Sequence, residues 1–111
     1  MYALRAGGDF DVIYVEEDAE LVIDGIRITR EEGTLGRGIK NYGILVLLEG
    51  VIDVHDTPRV TARETFGAGV WNGGLFTMYG GLIANNVSAC CAGGVQNNNS
   101  FVMRGGGNQE Q

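Results

Sequence analysis

Apolar and polar residues alternate with a period of two along much of the chain: Val12 and Tyr14, Leu21 and Ile23, Ile26 and Ile28, then Leu45 and Leu47, Phe76 and Met78, Phe101 and Met103. That period sends successive side chains to opposite sides, which is strand geometry and not the 3.6-residue period of a helix. The strands recur together with their surroundings. Gly38-Ile39-Lys40-Asn41 leads into Leu45 and Leu47, Gly69-Val70-Trp71-Asn72 into Phe76 and Met78, and Gly94-Val95-Gln96-Asn97 into Phe101 and Met103. A weaker first copy runs from Val15 through Leu21 to Ile26. From Asn41 to Asn72 is 31 residues and from Asn72 to Asn97 is 25; Glu17, placed in the same column, lies 24 before Asn41. Repeats of this length mark a solenoid, whose units bury their apolar sides only against their neighbours.

Stacking the copies predicts an all-β chain, a right-handed parallel β-helix of about four rungs. Leu21, Leu45, Phe76 and Phe101 form one inward column, Ile23, Leu47, Met78 and Met103 a second, and Val15, Ile39, Val70 and Val95 a third on a neighbouring short strand. Between the two strands the turn carries Asn41, Asn72 and Asn97, whose amides can hydrogen-bond from rung to rung as stacked amides do in other parallel arrays. Glycine after the second strand supplies a positive φ for the next turn. Residues 1–11 have no repeat partner and read as a lead-in that caps the first rung, 12–106 as the helix, and 107–111 as a tail. The charged residues 29–37 make the first long connection. Residues 53–68 hold an insertion that accounts for the 31-residue spacing, and insertions in solenoids map to loops on one side.

The unit from Gly69 to Asn86 resembles the glycine-rich repeats of bacterial surface and adhesin-like proteins, which read approximately Gly-Gly-Val-x-Asn-x-Gly-x-Phe-Thr-Met-x-Gly-Gly-x-Ile-x-x-Asn. The resemblance covers residues 38–106 well and 12–28 loosely. It implies the pectin-lyase-like β-helix architecture and says little about function.

Composition narrows the function classes. Nineteen glycines with one proline fit neither collagen nor a proline-rich linker, and 44% hydrophobic residues suffice for a core. A formal net charge of −6 with eight basic residues argues against nucleic acid, which demands clustered Lys and Arg. No apolar run approaches the ~20 residues of a membrane-spanning helix, and residues 1–9 hold no apolar stretch of signal-peptide type. Cys90 and Cys91, the only cysteines, are adjacent, which excludes a disulfide framework; two small buried thiols are expected.

The candidate sites are modest. Asp53 and His55 share one side of an extended stretch with Asp56 nearby; the expectation is solvated loop residues, with a metal site as the competing reading. Glu16, Glu17, Asp18 and Glu20 lack the spacing of a calcium loop and read as a solvated face. Glu31 and Glu32 are paired carboxylates, but no two acids share equivalent columns with a base between them, so no catalytic residues, metal or cofactor are expected. Tyr42, Trp71 and Tyr79 offer a platform for a sugar, Trp71 pointing outward because Val70 points inward. If Leu45 and Leu47 face the core, Ile44, Val46, Leu48, Leu75, Thr77, Tyr79 and Val102 line the outside, and with Trp71 they form the predicted interface.

The function expected is therefore a non-enzymatic structural or interaction module in a multi-copy assembly, partnering itself and other structural proteins in a virus particle or on a cell surface. The alternative is a carbohydrate-binding or polysaccharide-cleaving fragment of a larger secreted protein, with a surface glycan as partner.

Overall fold

A computed structural model describes residues 2–57, 69–88 and 94–108. Among these are thirteen strands and no helix: β1 (Tyr2–Ala6), β2 (Ile13–Val15), β3 (Glu20–Arg30), β4 (Ile39–Asn41), β5 (Ile44–Asp53), β6 (Asp56–Thr57), β7 (Val70–Asn72), β8 (Leu75–Met78), β9 (Leu82–Ala84), β10 (Val87–Ser88), β11 (Val95–Asn97), β12 (Ser100–Met103) and β13 (Gly107–Asn108). Every pairing is parallel and links strands about one repeat apart, so the chain is a parallel β-solenoid of about four turns.

Three sheets form its faces. The first is β2, β4, β7 and β11. The second comprises residues 20–23 of β3, residues 44–47 of β5, then β8 and β12. The third comprises β1, residues 26–30 of β3, residues 50–53 of β5, β9 and β13. β3 and β5 run continuously through the corner between the second and third faces, with register shifts at Asp24. That corner holds a glycine column, Gly50, Gly81 and Gly106, at φ 136°, 86° and 81°, with Gly25, φ 88°, at the register shift beside it. Side chains other than Gly are strained there, so the column fixes where each turn bends. β6 and β10 add a short fourth sheet.

The core is the stack of inward side chains. Leu45 pairs with Phe76 and Leu47 with Met78 on the second face, Ile39 with Val70 on the first, and Ile52 with both Ile28 and Ile83 on the third. All are almost fully buried. Each such side chain contributes roughly 1.5–3 kcal/mol of apolar burial. The stack thins at the ends, where Phe101 is partly buried, and Leu4 and Met103 are exposed.

Two readings of the sequence change. First, the third inward column is Ile13, Ile39, Val70 and Val95, not one beginning with Val15; Val15 stands in register with Asn41. The cause is turn length: four residues separate β2 from β3, but only two separate β4 from β5, β7 from β8, and β11 from β12. Second, the alternation of Val12 and Tyr14 does not put both on one side: Val12 packs against the core while Tyr14 does not. Val15 is buried and Tyr14 lies 55% exposed on the outside. β1 pairs in register with residues 26–30 and continues the third face by one strand.

Candidate functional site

The corner between the first and second faces is held by asparagine. Asn41 Nδ2 donates to Asn72 Oδ1 at 2.8 Å, and Asn72 Nδ2 donates to Asn97 Oδ1 at 2.9 Å. Each amide also serves its own turn: Asn41 Oδ1 accepts from Gly43 N and Asn72 Oδ1 from Gly74 N, while Asn72 Nδ2 reaches Ser100 O at 2.9 Å. Asn41 and Asn72 are fully buried, so these bonds satisfy groups that water does not reach. Val15, in the same column, leaves the first turn without an amide.

On the second face, inward Leu45, Leu47, Phe76 and Met78 force their neighbours outward. Val22, Val46, Thr77 and Val102 stand in one outer row, and Ile44 pairs with Leu75 in another. Leu48 and Tyr79 follow at the ends of these stretches. Val22, Ile44, Leu48, Leu75, Tyr79 and Val102 are each 40–51% exposed. Trp71 is not part of this surface. It lies on the first face, in register with Lys40 and Gln96.

An aromatic row occupies the outside of the first face. Tyr14 meets Tyr42 at 5.5 Å between ring centroids and Tyr42 meets Trp71 at 5.1 Å, both tilted. Lys40 Nζ sits 5.5 and 5.6 Å from the Tyr42 and Trp71 rings, within cation–π range. Tyr79 lies beyond the far end of β8, away from this row. Beside Tyr42 a trough of about 440 Å³ follows the corner, lined by Glu17, Asp18, Tyr42, Gly43, Ile44, Gly73, Gly74, Leu75 and Asn99.

Beyond the third face, a buried polar corner contradicts the expectation of solvated loop residues. His55 is 1% exposed and Asp53 8%. The backbone turns between them at Val54, φ 70°, so they do not face one site. The Asp53 carboxylate takes Arg27 in a two-pronged pair at 3.0 and 2.8 Å, which raises the Arg27 pKa. His55 Nδ1 accepts from Arg30 Nε at 2.9 Å, so Nε2 carries the proton and donates to Ile28 O at 3.1 Å. Both ring nitrogens are thus committed. Burial lowers the His55 pKa from 6.5 to about 4; the bond to Ile28 opposes this and the Arg30 charge reinforces it. One turn on, Asn86 occupies the equivalent place, accepting from His55 N and donating to Ile52 O, both at 3.0 Å. Arg30 is 2% exposed, its guanidinium bonded to the carbonyls of Phe10, Leu35 and Arg37, which pins the first long connection.

The sequence offered a signal for this corner: His55 and Asn86 each follow a core isoleucine, Ile52 and Ile83, by three residues. The trough had one too, in the extra length of the first turn. Glu16, Glu17, Asp18, Glu20, Glu31 and Glu32 are exposed. Among the described residues no three His, Cys, Asp or Glu side chains converge on one point. Cys90, Cys91 and most of the 53–68 insertion lie outside the described residues, as does the Asp56 side chain. Compared with protein-family models, curated proteins and solved structures, the chain matches none.

Proposed function

We propose that this chain is a non-enzymatic structural module that works in several copies, associating through the outside of its second face. The observation that carries the reading is the exposed apolar surface of Val22, Ile44, Leu48, Leu75, Tyr79 and Val102, with half-buried Val46 between them. In a monomer these side chains would stay in water, and continuous apolar patches usually mark protein contacts. The occupant is a second copy. The surface repeats with the solenoid and its middle row, Val22, Val46, Thr77 and Val102, carries no charge, the acids Glu20 and Glu49 standing at its margins, which suits self-complementary contact around a symmetry axis. Four strands at ~4.8 Å spacing and four to five residues each cover roughly 300 Å². That is less than half of the ~800 Å² per partner of a stable pairwise interface, so the contact extends over adjoining surface. Leu82, 38% exposed on the third face, continues it.

The test is mass by light scattering and sedimentation over a wide concentration range, for the parent and for Val46→Lys combined with Thr77→Lys. Both substitutions sit in the middle outer row and point outward, so they leave the core untouched. A parent oligomer that falls to monomer in the double variant, at unchanged far-UV circular dichroism, supports the reading. A monomeric parent at several hundred micromolar sinks it.

A further inference from the structure

At the corner between the first and second faces, the first turn is longer than the three that follow. Glu16 to Ala19 make the first turn, against Tyr42-Gly43, Gly73-Gly74 and Asn98-Asn99 in the next three. The longer turn places Glu17 and Asp18 at one end of the trough, and Asn99 closes the other. Between them the floor is glycine. A Cβ on Gly43 would collide with the carbonyls of Glu16 and Ala19, and one on Gly74 with that of Gly43, so the floor stays bare because the turns stack so closely. Its backbone groups are already used. Gly43 N is bonded to Asn41, Gly74 N to Asn72, and Gly43 O, Gly73 O and Gly74 O accept from Leu75, Asn99 and Ser100. Polar recognition must therefore come from the ends and one wall, where Glu17, Asp18, Asn99 and the Tyr42 hydroxyl stand. Ile44 and Leu75 give the opposite wall an apolar surface.

From this arrangement we infer that the trough binds a short neutral saccharide. Ionised carboxylates accept two hydroxyl hydrogens side by side, as vicinal diols present them, and an amide both donates and accepts. The C–H faces of a sugar ring need apolar and aromatic surface, which Tyr42, Ile44 and Leu75 supply. Glu17 and Asp18 repel an anion, and the polar ends disfavour a purely apolar ligand, which would leave them desolvated. The volume of about 440 Å³ lies within the ~300–1,000 Å³ of small-molecule sites. Asp18 sits at φ 72°, a left-handed conformation held by the longer turn and placed at a site rather than at random. The Trp71 ring packs over Gly73 and against Tyr42, fixing the aromatic wall from behind. The trough shares Ile44 and Leu75 with the face proposed for assembly, so a second copy would compete for that wall, but binding by a single chain does not require the assembly.

The test is a printed array of neutral hexose and N-acetylhexosamine oligosaccharides beside uronic-acid and sulfated counterparts, followed by calorimetric titration of any oligosaccharide retained. Binding to a neutral member should fall at least tenfold in Glu17→Gln with Asp18→Asn, and again in Tyr42→Ala. Asn tolerates the left-handed conformation at 18, so the first variant keeps its fold, checked by an unchanged melting temperature. The monomeric Val46→Lys, Thr77→Lys variant, with Ile44 and Leu75 uncovered, should bind at least as tightly as the parent. No retention of any neutral oligosaccharide, retention of anionic members alone, or affinity unmoved by the Glu17 and Asp18 changes would each overturn the inference.

Discussion

Replacing Asn72 with alanine should cost more than any other single change at the asparagine corner, and the hydrogen bonds give its size. Asn72 Oδ1 accepts from Asn41 Nδ2 at 2.8 Å and from Gly74 N at 3.3 Å; its Nδ2 donates to Asn97 Oδ1 and Ser100 O, both at 2.9 Å. Alanine leaves Gly74 N one partner short. Asn41 Nδ2 retains Leu75 O at 3.1 Å and Gly43 O at 3.3 Å. Counting the three short bonds at about 1 kcal/mol net each gives a loss of about 3 kcal/mol. For a domain of 111 residues, 1 kcal/mol moves the melting temperature by roughly 4 °C, so the midpoint should fall by about 12 °C. Asn86→Ala removes two buried bonds at 3.0 Å and should cost about 2 kcal/mol. Asn97→Ala, at an exposed position, should cost about 1 kcal/mol or less. Thermal melts and urea titrations of the three variants measure the order. A midpoint for Asn72→Ala within two degrees of the parent, or a larger loss at Asn97, would refute the claim that buried amide pairing holds this corner.

Phe76→Ala removes a fully buried ring stacked on Phe101 at 4.8 Å and 19°, and should destabilise by roughly 3–5 kcal/mol; Met78→Ala should cost roughly 2–5 kcal/mol, both read by denaturant titration. Stability should also fall on acidification. His55 is neutral in the folded state down to pH about 4 while the unfolded chain takes up its proton near pH 6.5, so the loss develops between those values and reaches roughly 3 kcal/mol. His55→Asn, which installs the residue found one turn on, should flatten that slope; an unchanged difference between pH 7 and pH 4.5 would remove His55 as its source. Val54 holds φ 70°, where the equivalent residue one turn later is Asn85 at φ 57°, so Val54→Asn should raise stability by about 1 kcal/mol, against a fall if its side-chain burial dominates.

The second face was readable in the sequence because its columns are chemically uniform and its strands alternate at a strict period of two. Leu45 over Phe76 over Phe101 announces itself by size alone. The first face was misread by two residues because register was carried backward through a turn of assumed constant length, and Glu16 to Ala19 broke the assumption. The third face was missed as a separate sheet because β3 and β5 run into it without a break, marked only by Gly25 and Gly50. Its outer corner was hidden for another reason. Arg30, His55 and Asn86 share no side-chain chemistry, so no column appears, and charged or titratable residues outside a motif read as solvent-facing. Their burial depends on partners that a sequence pattern does not announce: for Arg30 these are the His55 ring and the Phe10 carbonyl, 25 and 20 residues away, and the carbonyls of Leu35 and Arg37 in the connection that follows it. The trough was half legible: Tyr42, Glu17 and Asp18 were named from the sequence, though not as one site, whereas Asn99 enters only when the unequal turns are stacked.

The strand count also bears on how copies of this chain can meet. The first and second faces each hold four strands among the described residues, but the third holds five, because β1 precedes the first turn and β13 completes the last. Suppose a second copy stacks end to end, its β2 beneath β11 and its residues 20–23 beneath β12. Its β1 then falls in the layer that β13 already occupies. Continuous axial growth therefore displaces one of these strands. Displacing β1 means breaking five register pairs with residues 26–30 and uncovering Ala6, which is 2% exposed. Displacing β13 sacrifices only two pairs, with Leu82 and Ile83, so it is the strand that would yield. Lateral contact through the second face asks for no such rearrangement: its outer side chains are already presented, and the backbone hydrogen bonds beneath them stay intact. If copies of this chain associate as proposed, the face therefore asks for less rearrangement than the ends, even though the last turn leaves Met103 uncovered and a row of backbone groups that invites pairing.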